Sequence, residues 1–240
     1  MATLLADIRS RVRTKLQESS ASTWSEAELL EDMIGGIKDL WRAINDLHQE
    51  HFCTIDETNM SIAASASTVT GVPSDLYRLH MLEPRDLTSD GAYRELIFVP
   101  RDLNSADFQR ARSIGTIDPG SGGIVCFAVI GAGAPVAAPT IRIAPKLSAA
   151  VDLTAIYVPT FAASAYNDPD TDYNPIPGES DDAIVAWTIA WARSKEREDR
   201  SPDPEWLAVY ATFKQIILTS LTPRQTQEPD EVEGMFADEY

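Results

Sequence analysis

Two stretches of helical periodicity stand near the ends of this chain, with a long strand-like segment between them. From Ser25 to His51 the apolar residues Leu30, Met33, Ile34, Ile37, Leu40, Trp41, Ile44 and Leu47 recur every three or four positions, which is one stripe of an amphipathic helix. A comparable pattern returns only after Ser180. Each stripe needs a partner to cover it. The simplest arrangement packs the front and rear helices together and leaves the middle as an insertion.

The front pair is expected to start with a helix over Ala2 to Gln17, with Thr3 as its cap, Leu4, Ile8, Val12 and Leu16 along one side, and Arg9, Arg11, Arg13 and Lys15 on the other. Ser25 and Glu28 form a capping box that opens the second helix. Gly35 and Gly36 sit inside that helix at a cost of about 1 kcal/mol each relative to Ala, so they mark a close helix approach or a kink. At the rear, a helix over Ser180 to Asp199 turns Ile184, Trp187 and Trp191 to one side. A last helix opens at Asp203 and Pro204, a capping acid followed by a first-turn proline. It shows Trp206, Val209, Tyr210, Phe213, Ile216 and Ile217 before Pro223.

Between these ends the period shortens to two. Phe52 to Ile55, Met60 to Ala64, Tyr77 to Leu82, Leu96 to Val99, Ile124 to Ile130, Thr140 to Ala144 and Leu153 to Val158 read as strands. Gly, Pro and Asp clusters punctuate them, and Ser105 to Ser113 reads as a short helix with Phe108 and Ala111 inward. The expected class is therefore α+β. An antiparallel helical bundle comes from residues 1–51 and 180–222, and an antiparallel β-sandwich or barrel-like domain is inserted at 52–160. Residues 161–179 form an acidic linker and 223–240 a C-terminal docking tail, whose polar, acidic composition orders only against a partner.

Charge narrows the function. Against 20 bases the 240 residues carry 37 acids, a formal net charge of −17, and no block of Lys and Arg offers the basic stripe that a nucleic-acid binder needs. Between Lys146 and Arg193 there are seven acids and no base, which reads as a solvated face. Cys53 and Cys126 are too few for a disulfide framework and read as reduced core residues. No apolar run approaches the roughly 20 residues of a membrane span and no leader pattern opens the chain, so the expectation is a soluble product made in the cytoplasm, with no membrane partner.

No motif in the chain carries recognisable chemistry. Asp168, Asp170, Asp172 and Glu179 imitate calcium-loop spacing, but Tyr173 stands where the sharp bend requires glycine, and Pro169, Pro175 and Pro177 stiffen the segment. His48, His51 and Cys53 lack a second pair of ligands. Ser121 lies in a Gly/Ser turn and not in a nucleophile elbow. No catalytic, cofactor or metal site is expected, and the chain is read as no enzyme.

The order of parts resembles a known family. The start Met1 to Leu16, the helix opening at Trp24, Ser25, Glu28 and Leu29, the strand entry at Val72, Pro73 and Leu76, the strand Ile141 to Pro145 followed by Tyr157 and Pro159, and the helix opening at Ile176, Pro177, Asp182, Ala183 and Ala190 resemble the head-to-tail adaptor proteins of tailed bacteriophages. The likeness is nearest the longer adaptors of short-tailed phages. It implies a virion protein that forms a homo-oligomeric ring, usually of twelve subunits, between the portal and the tail nozzle, tail tube or tail-fibre protein. DNA passes through such a ring without specific binding. The resemblance further implies that the tail docks on the portal, and its large apolar groups Met235, Phe236 and Tyr240 are the expected anchors. Arg9, Arg11, Arg13, Trp41, Trp187, Trp191 and Trp206 are the candidate ring-interface residues. The competing expectation is a β-sandwich module for carbohydrate or tail-fibre contact carried on a helical oligomerising stalk.

Overall fold

A computed structural model describes residues 3–18, 23–47, 51–85, 96–131, 139–176, 180–197 and 200–221. The described helices are α1 (Leu5–Lys15), α2 (Glu26–Leu47), α3 (Ala106–Ile114), α4 (Asp181–Ala192) and α5 (Pro204–Ser220). The described strands are β1 (Thr54–Asp56), β2 (Ser61–Ile62), β3 (Val69–Thr70), β4 (Leu76–Pro84), β5 (Leu96–Pro100), β6 (Thr116–Ile117), β7 (Gly123–Ile130), β8 (Thr140–Ala144), β9 (Lys146–Leu147) and β10 (Val151–Pro159). The fold is α+β, and the chain divides into two compact units: Phe52–Thr160, and the segments on either side of it.

In the helical unit α4 is buried nearly all round, with Ala183, Ile184, Val185, Ala186, Ile189, Ala190 and Ala192 removed from solvent. A helix without a polar face belongs at the centre of its neighbours, and α4 packs against α1, α2 and α5. Its alanines let those neighbours come close. It ends at Ala192, short of the expected Asp199, because Arg193–Glu196 tightens into a 3-10 turn and the backbone N–H of Asp203 returns to the carbonyl of Ala190 at 2.9 Å. The reciprocal Ser25 and Glu28 bonds open α2 as the sequence anticipates, Ser25 N donating to Glu28 Oε2 at 2.9 Å and Glu28 N to Ser25 Oγ at 3.3 Å. Asp203 caps α5 by accepting from Glu205 N at 3.0 Å.

The start of α1 differs from expectation. The helix begins at Leu5 with no side-chain cap, and the carbonyls of Asp172 and Pro169 accept from Leu5 N and Ala6 N, each at 2.9 Å. Asn174 N donates in turn to Thr3 O at 2.9 Å. Orphan amides of a first turn must find acceptors somewhere, and here a loop more than 160 positions away supplies them in place of Thr3.

The β unit is built around β10, which pairs antiparallel with β1, β2 and β4, while β2 pairs with β3. A second sheet has the order β5-β7-β8. The expected all-antiparallel domain needs correction here, because β5 and β7 are parallel, as are β6 and β9. Parallel neighbours require a crossover, and α3 is that crossover, lying between β5 and β7 in sequence. It covers one face of β7 and β8 with Phe108 and Ala111 against Cys126, Ala128 and Ala144. The other face of β7 sends Val125 and Phe127 into the main core with Met60, Ile62, Leu82, Ile141, Leu147 and Leu153. Covered on both sides, β7 reads as a continuous apolar run and not as an alternation.

Candidate functional site

Arg9, Arg11 and Arg13 of α1 all find acids within the helical unit. Arg9 pairs with Glu26 at 2.9 Å and Asp170 at 3.0 Å. Arg11 pairs with Asp182 and stands 4.0 Å from Asp181. Arg13 is the most enclosed, bonding Glu18 at 2.9 Å, Glu26 at 2.8 Å and the carbonyl of Trp24 at 3.2 Å, with side-chain exposures of 11% for Arg13 and 7% for Glu18. The basic stripe legible in the sequence is thus neutralised by acids at the start of α2, in the 168–172 loop and in the first turn of α4. Part of the acidic surplus expected to form a solvated face is engaged in this way.

Of the calcium-like acids, Asp168, Asp170 and Asp172 are engaged within the fold, and Glu179 lies outside the described residues. Asp172 Oδ2 accepts from Asp168 N at 2.8 Å, Asp168 Oδ1 accepts from Asp170 N at 3.1 Å, and Asp170 faces Arg9. Among the described residues no group of three or more His, Cys, Asp or Glu converges as a metal site. Cys53 and Cys126 form no disulfide, and they are half-buried and buried respectively. Among the described residues no helix is long and apolar enough to cross a membrane.

The tryptophans divide. Trp41 is buried and meets Phe161 with ring centroids 6.0 Å apart. Trp187 is half-buried between Tyr210 at 4.9 Å and Trp191 at 5.9 Å. Trp191 is 37% exposed, and Trp206 is half-buried with the Arg193 guanidinium 5.8 Å from its ring centre. Trp187, Trp191 and Trp206 all lie on α4 and α5, and Trp41 on α2. The candidate anchors Met235, Phe236 and Tyr240 lie outside the described residues.

Sequence periodicity alone did not single out the outer side of α5. Only Tyr210 and Ile217 of this helix are buried, yet among its seventeen residues Glu205 and Lys214 are the sole charges. Ala208, Val209, Ala211, Thr212 and Ile216 are exposed, Ile216 at 49%. A helix so poor in charge on its solvent side is unusual for a surface element. The signal was present in the sequence as apolar residues on both sides of α5. The β unit has a counterpart: Ile55, Ile156 and Met81 stand in register across β1, β10 and β4, with Ile55 and Met81 exposed at 58% and 42%.

Electrostatics around α2 are uneven. The Lys195 ammonium, 2.5 Å away, and the Ser25 hydroxyl and amide hold the Glu28 carboxyl down to about 2. Burial, reinforced by Glu31 and Glu28, pushes the Asp32 carboxyl up to about 6. Burial and the bond donated to Asp39 raise the Tyr210 hydroxyl far above its ordinary value. Glu28 with Lys195, and Tyr210 and Lys214 with Asp39, tie α2 to the segments that follow α4.

The arrangement is therefore one of surfaces: a stapled helical unit with an apolar outer helix, and a β unit with an apolar row. Comparison with known proteins agrees with that character. Among curated proteins none matches the chain. Residues 3–232 match the family model described as SU10 adaptor protein. That match spans nearly the whole sequence, and the chain accordingly belongs to the SU10 adaptor protein family, a family of structural adaptors of bacteriophages.

Proposed function

We propose that this adaptor acts as a ring of identical subunits, in number about that of the twelve implied by the resemblance, joining the portal of the phage head to the tail and letting DNA pass. In this reading it stands nearest the longer adaptors of short-tailed phages. The helical segments form an antiparallel bundle that builds the ring, and the inserted β domain, barrel-like in closure, turns towards tail components. Residues 223–240 form a tail that docks on the portal through Met235, Phe236 and Tyr240.

The observation that carries the ring is the outer side of α5, where Val209 and Ile216 are exposed on a nearly uncharged helix. Burying such a face against a neighbouring copy gains about 25 cal/mol per Å² of apolar surface removed from water. Trp191 of α4 is 37% exposed and Trp206 of α5 is half-buried, and aromatic residues of this kind commonly anchor interfaces. Arg9, Arg11 and Arg13 contribute by holding α1 within the subunit. The surplus of acids suits a conduit, since like charge keeps phosphates from adhering within a Debye length of about 8 Å. A subunit of charge −17 also resists self-association until a template offsets the repulsion.

The test is electron microscopy of purified portals incubated with the protein. An added ring of density at the portal end is expected for the natural chain and for Thr219→Ser, and none for Val209→Glu with Ile216→Glu. A complete ring from the double variant would overturn the assignment of α5. Absence of added density with the natural chain would overturn the adaptor ring itself.

A further inference from the structure

The β unit holds a cavity of about 430 Å³ beside α3 and the turn from β8 to β9. Arg112 of α3, Arg142 of β8 and Lys146 of β9 line it, with Leu103, Phe108 and Ile143 as apolar wall, and no acid is among the described lining residues. Eight other cations of the chain are engaged by acids. Arg9, Arg11, Arg13, Arg85, Arg101, Arg193, Lys195 and Lys214 each pair with a carboxylate. Arg112, Arg142 and Lys146 make no ion pair and no side-chain hydrogen bond among the described residues. In a protein with 37 acids and 20 bases, three unpaired cations around one concavity go against the average. Like charges gathered without a counter-charge are mutually repulsive, and an anion entering the cavity relieves that repulsion.

We propose that this cavity is a binding site for an acidic peptide segment that carries an apolar side chain beside its carboxylates. The apolar wall takes the side chain, and the three cations meet the carboxylates at the rim, so anchor and charge are read together. A nucleic-acid strand fits less well, because it needs an extended basic track and the excess of acids opposes its phosphates. Charge is partitioned accordingly. Phe52–Thr160 contains 11 acids and 8 bases, whereas the remaining segments contain 26 and 12. The β unit is thus the part of this chain best able to receive an acidic partner. The site does not depend on the ring reading.

The probe is a fluorescein-labelled peptide of residues 228–240, which has six acids, no base, and Val232, Met235 and Phe236 as apolar groups. It serves as a chemically matched ligand and is titrated into the full chain by fluorescence anisotropy in low salt. Saturable binding is expected, weakened at least tenfold by Arg142→Glu with Lys146→Glu and by Met235→Ala with Phe236→Ala in the peptide. It should be retained by Arg110→Glu, a cation of α3 outside the cavity. The exposed positions of Arg142 and Lys146 leave the fold intact, which far-ultraviolet circular dichroism would verify. No saturable binding, an affinity within twofold in the Arg142 and Lys146 variant, or displacement by an equal concentration of duplex oligonucleotide would each overturn the proposal.

Discussion

Gly36 of α2 lies against the indole of Trp187 of α4 so closely that a Cβ at position 36 would stand 3.0 Å from Cγ and Cδ1 and 3.2 Å from Cβ of the tryptophan. Those are near-backbone atoms of a ring held by Tyr210 and Trp191, so they have little room to withdraw. Gly36→Ala gains about 1 kcal/mol of helix propensity but must push α2 from α4. The expected net is a loss of about 1–2 kcal/mol, read as a lower urea midpoint at unchanged slope. At Gly35 the nearest atom is Trp187 Nε1 at 3.3 Å, one bond farther along the five-membered ring and farther from the tryptophan backbone. Gly35→Ala should be close to neutral, and a larger loss there than at Gly36 would contradict this account of the contact.

Arg13 and Glu18 form the most enclosed of the ion pairs described. Removing one member of a buried pair leaves the other uncompensated, at a cost of about 3–5 kcal/mol. Glu26 and the Trp24 carbonyl still serve Arg13, so Glu18→Ala should cost less, about 2–3 kcal/mol. Arg11→Ala, at a half-exposed pair, should cost under about 1 kcal/mol. Chemical denaturation of the two variants side by side checks the ranking.

Trp24 and Ala192 link the opening of α2 to the end of α4 through the indole N–H, which donates to the Ala192 carbonyl at 2.7 Å in a buried setting. Trp24→Phe retains most of the apolar surface but leaves that carbonyl without its donor. A loss of about 1–3 kcal/mol is expected from the unsatisfied acceptor and the smaller ring. Thermal unfolding followed by circular dichroism provides the measurement.

Asp32 and Glu28 impose opposite pH trends. The folded Asp32 value, raised to about 6 from 3.8, means that the native state binds this proton more tightly than the unfolded chain. Its contribution is therefore complete below about 4 and is lost as pH rises through 6. Glu28, lowered to about 2 from 4.5, contributes above 4.5 and loses its contribution as pH falls towards 2. Asp32→Asn should then stabilise the protein at pH 7.5 by about 1 kcal/mol, a figure reduced for solvent screening, and remove the decline between pH 4 and 6.5. A variant whose stability still falls by the same amount across that window would disprove the assignment to Asp32.

Much of the local structure was legible because it rests on neighbours in sequence. The capping box at Ser25 and Glu28, the Asp203 cap before Pro204, and the inward Phe108 and Ala111 all follow from spacing. The seven expected strands overlap β1, β2, β4, β5, β7, β8 and β10; β2 has only two residues but lies in the apolar run Met60 to Ala64, whereas the equally short β3, β6 and β9 lie in no such run and leave no period to read. The parallel pairing of β5 with β7 was also missed. An apolar run such as Ile124 to Ile130 announces burial on both faces but not the direction of its neighbour.

The candidate surfaces follow the same division. Arg9 and Arg13, four positions apart, share one flank of α1 and Arg11 lies on another, and their partners Glu26, Asp170 and Asp182 come from three separate places in the chain. Side-chain charge is a property of composition; whether it faces solvent, a partner or its own fold depends on long-range packing.

By itself the sequence determined the helices at both ends, the strands between them, the acidic balance and the likeness to phage adaptors, because periodicity, caps and composition act over a few residues or over the whole chain. Only the tertiary structure decided that Gly36 seats Trp187, that the 168–172 loop closes the start of α1, and that Arg112, Arg142 and Lys146 share one cavity. Each of those facts joins positions far apart in the chain, and it is packing of the folded backbone, not local preference, that brings them together.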